Sequence, residues 1–170
     1  MRIRDATPED AEAIERIRVR GWQAAYRGIF PPELLDAMQV DWSRRSARIA
    51  EPPRGCSTLV GESGGRVAGF AATGPDRDDT LVGELYGPYV DPDSWSAGVG
   101  RALLSAAEVR LGGYADEATL WVLEANGRAR RFYELGGWRE EAVTRMFVLG
   151  EMRAPVVRYR KLLSTSTSRS

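Results

Sequence analysis

The chain has 170 residues, 43% apolar and 28% charged, with 24 basic and 24 acidic side chains and a pI near 6.4. That size and composition fit one globular domain with a substantial core, and the neutral balance gives no reason to expect nucleic acid or a membrane surface as partner. Cys56 stands alone and histidine is absent, which excludes an intrachain disulfide, multi-cysteine and histidine metal sites, and Ser–His or Cys–His catalysis. Any general base must then be a carboxylate, a tyrosine, a water chain or the substrate itself. No secretory signal occupies Met1–Glu12 and no long apolar run follows, so a cytoplasmic enzyme is the expectation.

Arg2–Ile3–Arg4 reads as a short opening strand. Thr7 then supplies an N-cap, Pro8 suits the first helical position, and Asp10 stands three residues after the cap. Ile14, Ile17 and Trp22 continue a helix that Gly28 and Pro31–Pro32 break. A second helix is expected near Glu33–Met38 and a third over Trp42–Ala50, stopped by Pro52–Pro53. Ser57–Glu62 and Arg66–Thr73 are β-rich runs joined by Ser63–Gly64–Gly65, a tight-hairpin signal. Leu81–Val90 is a third run whose Gly87–Pro88 interruption predicts a bulge or a strand with an unpaired amide side. A helix over Gly98–Leu111 carries Val99, Leu103 and Ala107 on one stripe. A strand at Ala118–Leu123, a helix at Ala125–Leu135 closed by Gly136–Gly137, and strands at Glu141–Leu149 and Val156–Leu162 complete the order. The serine- and threonine-rich end, Ser164–Ser170, is expected to be disordered. The strand–helix–strand unit across 81–123 implies a right-handed crossover between parallel strands, while the hairpins imply antiparallel pairing elsewhere.

Two segments carry chemistry. In the first, strand gives way to helix through Val90–Asp91–Pro92–Asp93–Ser94–Trp95–Ser96–Ala97–Gly98–Val99–Gly100–Arg101–Ala102. Free N–H groups and the positive end of a helix dipole make such a start an anion site, and Gly98 and Gly100 let main chain approach a phosphate. The same glycines equally permit a plain tight turn. In the second, Asn126 and Tyr133 are seven apart and so share a helical stripe, with Ala129, Phe132 and Gly136 on a neighbouring one. An amide and a phenol aligned in this way are also compatible with ordinary surface residues.

Together, in this order and spacing, the segments resemble the GCN5-related N-acetyltransferase (GNAT) superfamily. Residues 95–100 resemble its Gln/Arg-x-x-Gly-x-Gly/Ala phosphate stretch, and Asn126–Tyr133 its Asn-x-x-Ala-x-x-Phe-Tyr helix, followed by a Gly-Trp turn at Gly137–Trp138. Trp22–Gly28 resembles the N-terminal helix region of small bacterial members. One departure stands out: Trp95 occupies the Gln/Arg position, which weakens cofactor contact there or replaces it by stacking, with Arg101 as a source of compensating charge.

The resemblance implies an α/β fold over residues 1–163. It is a mixed, mostly antiparallel central sheet flanked by helices, with a splayed parallel strand pair that binds acyl-CoA. It implies an N-acetyltransferase that uses acetyl-CoA as co-substrate, held by Tyr89, Val90, Trp95, Ala97, Gly98, Val99, Gly100, Arg101, Ala102, Asn126, Phe132 and Tyr133. The amine attacks directly, a main-chain N–H near Tyr89–Val90 serves the oxyanion, and Tyr133 is the acid for the leaving thiolate, against a purely structural phenol. Glu84 is the candidate base, against a solvent-facing glutamate. Trp22, Tyr26 and Ile29 are candidates for acceptor binding, against core packing. The acceptor is expected to be the primary amine of a small molecule. A protein N-terminus or lysine, a non-catalytic acyl-CoA sensor, and a homodimer are left open.

Overall fold

The computed structural model describes residues 1–164; the expected disordered end lies outside the described residues from position 165 onward. Its elements are β1 (Arg2–Asp5), α1 (Ala11–Ala25), α2 (Pro32–Asp36), α3 (Ser43–Ala50), β2 (Ser57–Ser63), β3 (Arg66–Pro75) and β4 (Gly83–Val90), then α4 (Val99–Gly112), β5 (Glu117–Leu123), α5 (Gly127–Leu135), β6 (Arg139–Leu149) and β7 (Met152–Leu162). The strands form one sheet in the order β1-β2-β3-β4-β5-β7-β6. Every neighbouring pair is antiparallel except β4–β5.

Local chemistry accounts for most boundaries. Gly64 and Gly65, at φ of 59° and 75°, make the two-residue turn that sets Ser63 opposite Arg66. A 3₁₀ turn at Pro8–Asp10 precedes α1, and the Asp10 carboxylate accepts the Thr7 N–H at 2.8 Å while gripping the Arg4 guanidinium at 2.7 and 2.9 Å. Capping here runs backward from Asp10 to Thr7. α5 begins two residues later than the periodicity suggests because Asn126 is its N-cap. β7 begins four residues earlier than expected, with Pro155 inside it. That proline turns its carbonyl toward β5, where it accepts the Glu124 N–H at 3.0 Å beyond the β5 ladder. Its missing N–H therefore falls where no ladder bond is required.

The sheet separates two apolar layers. On one face α4 and α5 cover Leu85, Leu120, Val122 and Tyr159; on the other α1 and α2 cover Phe70, Leu123, Met152 and Val156. α4 packs directly on the strands where Gly69 and Gly83 face it. A Cβ on Gly69 would sit 2.9 Å from Leu103 Cδ1, and one on Gly83 would sit 2.8 Å from Leu111 Cδ2. Leu103 is fully buried at this contact. Leu103→Ala is expected to cost about 2–5 kcal/mol, because a seat cut to fit leucine closes only partly. Urea unfolding reads this as a lower midpoint at unchanged slope.

Candidate active site

β4 and β5 pair over only three residues, Gly83–Leu85 against Ala118–Leu120, and then part. The separation begins where the β3–β4 register slips between Ala71 and Thr73. Gly87 has φ +112° there, and a Cβ on it would lie 2.6 Å from the Tyr89 ring, so only glycine fits. Pro88 follows without an N–H to pair. Past the slip, Asp91 donates to the Ala68 carbonyl at 2.9 Å. Val90, one residue earlier, thus turns its own N–H and C=O the other way, into the gap. The gap is a cavity of about 720 Å³ that crosses the sheet, with α1 on one side and α5 and the turn after β4 on the other.

That turn ends in a bare helix start. Gly98 caps α4 at φ +81°, and Ala102 is the first amide to reach an intrahelical carbonyl, that of Gly98 at 3.1 Å. The N–H groups of Val99, Gly100 and Arg101 are left pointing out of the helix. Space over Gly98 is open: the nearest atom to a Cβ there would be Met1 Cε at 3.8 Å. Ser96, Ala97, Gly98 and Arg101 are exposed. Trp95 lies beside the turn rather than over it. Its indole N–H donates to the Val90 carbonyl at 3.0 Å, and the Arg128 guanidinium stacks on its ring at 3.8 Å. Arg20 ties the turn to α1 through Asp91 and Asp93, at 2.8 and 2.9 Å.

On α5 the Asn126 side chain accepts the Ala129 N–H at 3.1 Å, so its carboxamide starts the helix while also lining the cavity. Tyr133 is buried, its ring edge-on to Phe132 at 5.3 Å and to Trp138 at 6.4 Å. Burial pushes its phenol far above the ordinary tyrosine range, and the nearby Tyr89 phenol pushes the same way.

The carboxylates lie on the opposite face. Glu84 is 3% exposed, and its Oε2 has no hydrogen-bond partner. Arg77 approaches that oxygen at 3.5 Å, on a loop anchored by the Tyr86 hydroxyl donating to Pro75 O at 3.0 Å. Desolvation raises the Glu84 carboxyl above the usual range; Arg77 and Arg145 oppose the rise and Asp76 adds to it. Asp76, also buried, behaves differently. Desolvation pushes it up, but the Thr119 hydroxyl and the N–H groups of Asp78 and Asp79 outweigh that and hold it below the usual range. Two carboxyls with environments this unlike are the pattern that separates a proton carrier from a fixed charge.

Of the candidate residues, Glu84, Tyr89, Val90, Trp95, Gly98, Gly100, Arg101, Asn126, Phe132 and Tyr133 all line this one cavity, with Trp22 and Tyr26 of α1. Four candidates, Ala97, Val99, Ala102 and Ile29, are not among its lining residues. The Val99 side chain enters the core against Gly61 and Gly69. The amides of Ala97 and Ala102 are taken by Ser94 O and Gly98 O, at 3.3 and 3.1 Å. Ile29 packs on the Trp22 cluster outside the cavity. Sequence reading missed Arg77, Arg128 and Arg145, which line the cavity, and Asp76 beside it. The only signal for any of them was the charged loop Asp76–Asp79 next to the Glu84 strand.

Comparison with known proteins defines the class. The sequence model of the acetyltransferase (GNAT) family matches residues 16–137. The chain is 32% identical over 136 residues to the probable N-acetyltransferase Rv2775 of Mycobacterium tuberculosis, covering 79% of this chain and 77% of that one. In fold it is similar to the PaiA N-acetyltransferase of Thermoplasma acidophilum, solved in complex with coenzyme A. The TM-score is 0.74 at 20% identity, covering 95% and 98% of the two chains. It is also similar in fold to the ribosomal-protein-alanine N-acetyltransferase of Brucella melitensis. There the TM-score is 0.74 at 22% identity, covering 96% and 100%. The protein is an N-acetyltransferase with acetyl-CoA as co-substrate. The chain belongs to the acetyltransferase (GNAT) family. Among the described residues no helix is long and apolar enough to cross a membrane.

Proposed function

We propose that the chain acetylates the primary amine of a small molecule by direct attack, with Glu84 as base and Tyr133 as acid. The observation that carries this reading is a pair of orphaned polar atoms in one cavity. Glu84 Oε2 and the Trp22 indole N–H are both buried and make no hydrogen bond within the protein, with Arg77 3.5 Å from the first and the Tyr89 hydroxyl beside the second. Leaving them so costs about 1–3 kcal/mol or more each, an expense that a bound polar ligand removes.

The turn fits a diphosphate: unpaired amides at Val99, Gly100 and Arg101, open space above Gly98, and Arg101 and Arg128 alongside. The free edge of Val90 suits an extended amide-bearing arm, although Trp95 already engages its carbonyl. Bound acetyl-CoA supplies an activated acyl carbon and a sulfur leaving group. Glu84 accepts the amine's proton, directly or through one water. The Val90 N–H meets the oxygen on which negative charge develops. Tyr133, held protonated by burial, donates to the departing sulfur.

The test has two stages. Acetyl-CoA at a hundred times its dissociation constant is expected to stabilise the protein by about 2.7 kcal/mol, with NAD giving no shift. Thiol release is then measured against small amines and against short peptides with free N-termini. Turnover of the small amines supports the proposal. Turnover of peptides alone transfers the reading to a protein acceptor, the activity named for the Brucella neighbour. Binding without turnover of either leaves an acyl-CoA sensor.

A further inference from the structure

The acceptor end of the cavity carries a charge pattern that selects among small amines. Side chains alternate across a strand, so Glu84, Thr119 and Trp121 project to the α1 face while Leu85, Leu120 and Val122 project to α4. Arg145 of β6 reaches the same α1 face. Its guanidinium lies over the Trp121 ring at 3.9 Å and lines the cavity, close enough to lower the Glu84 carboxyl.

The charges around it are already matched. Arg158 is neutralised by Glu141, which Arg160 shares at 2.8 Å. Asp76 is saturated by Thr119 and two backbone N–H groups. Arg77 has Glu84 at 3.5 Å. Among the described residues Arg145 has no carboxylate within ion-pair distance. Stacked on an indole, it presents its donor edge in a fixed plane, the arrangement that suits a two-oxygen anion.

We infer that the acceptor carries an oxyanion close to its amine, in the manner of an α-amino acid, with Arg145 holding the carboxylate and Glu84 the ammonium. This rests on the small-amine reading above. Trp22 and Phe147, with ring centroids 5.6 Å apart, wall the remaining space and favour an apolar side chain. The uncompensated Arg145 guanidinium disfavours polyamines and other polycations, and a peptide N-terminus lacks the nearby carboxylate.

Matched acceptors test it: phenylalanine, its amide and 2-phenylethylamine, each compared at equal fractions of the free amine. Phenylalanine is expected to show kcat/KM about ten- to a hundredfold above the other two, the range of a charge-assisted hydrogen bond. Arg145→Gln should bring that preference to within about threefold, mainly by raising KM for phenylalanine, and Arg145→Lys should keep part of it. An acetyl-CoA thermal shift equal to wild type certifies that both variants are folded. Equal use of the three acceptors, or a preference that survives Arg145→Gln, overturns the inference while the small-amine reading stands. No turnover of any of the three or of other small amines, with the acetyl-CoA shift intact, overturns both.

Discussion

Tyr133→Phe is expected to lower kcat by about a hundredfold to ten-thousandfold, the usual worth of general acid assistance. The dissociation constant for acetyl-CoA should change by no more than about twofold, since the hydroxyl acts on charge that exists only in the transition state. The geometry favours this split. The ring is buried against Phe132, Trp138 and Tyr159, and phenylalanine fills the same space. Thermal stability should therefore hold, which separates loss of a proton donor from loss of packing. Desolvation is the main reason the phenol sits far above its ordinary range. The same dry surroundings raise the basicity of a departing thiolate, which offsets the acidity that burial takes from the phenol. Single-turnover thiol release beside equilibrium binding measures both halves. A variant with wild-type kcat removes Tyr133 from the role.

How far the sequence reaches is decided by the range of each interaction. Element order was legible because its punctuation is local: Gly64–Gly65 for the hairpin, Pro52–Pro53 and Gly136–Gly137 for helix ends. The irregularity of β4 was legible too, since Gly87–Pro88 announces a bulge, whereas the gap that opens there was expected only from the family resemblance. The phosphate turn was half legible. Glycines mark where main chain is bare, but a helix start has two sides, and spacing alone does not show that Val99 faces the core or that Ala97 and Ala102 have spent their amides. Least legible were the acceptor groups. Asp76 meets Thr119 across 43 positions, and Arg145 reads as a solvent-facing residue of an alternating strand until the fold lays Trp121 beneath it. Such pairings come from tertiary contact and leave no mark in a local window.

Glu84→Gln should produce an opposite pair of effects, less activity and more stability. A base that carries the amine's proton contributes about a hundredfold or more, so kcat should fall by at least that factor. The rising limb of the wild-type pH–rate profile should lie above the ordinary carboxylate range, because burial disfavours the charged form more than Arg77 and Arg145 favour it. In the variant that limb should vanish, leaving only the rise caused by the amine's own deprotonation at higher pH.

Stability follows from the same displacement. A carboxyl whose pKa is raised by folding contributes fully below its unfolded pKa, and the contribution is lost as pH rises through the folded value. Above that window wild type holds a buried charge with one oxygen that makes no hydrogen bond. Glutamine keeps the shape and drops the charge, and Arg77, 60% exposed, remains solvated without its partner. The variant should thus be the more stable protein at mildly alkaline pH, with the difference closing in acid, where Glu84 is itself neutral. Urea unfolding at both ends of the range measures it. A variant less stable at alkaline pH would make the Arg77–Glu84 contact a structural ion pair, and an unmoved pH–rate limb would take the base from Glu84 altogether.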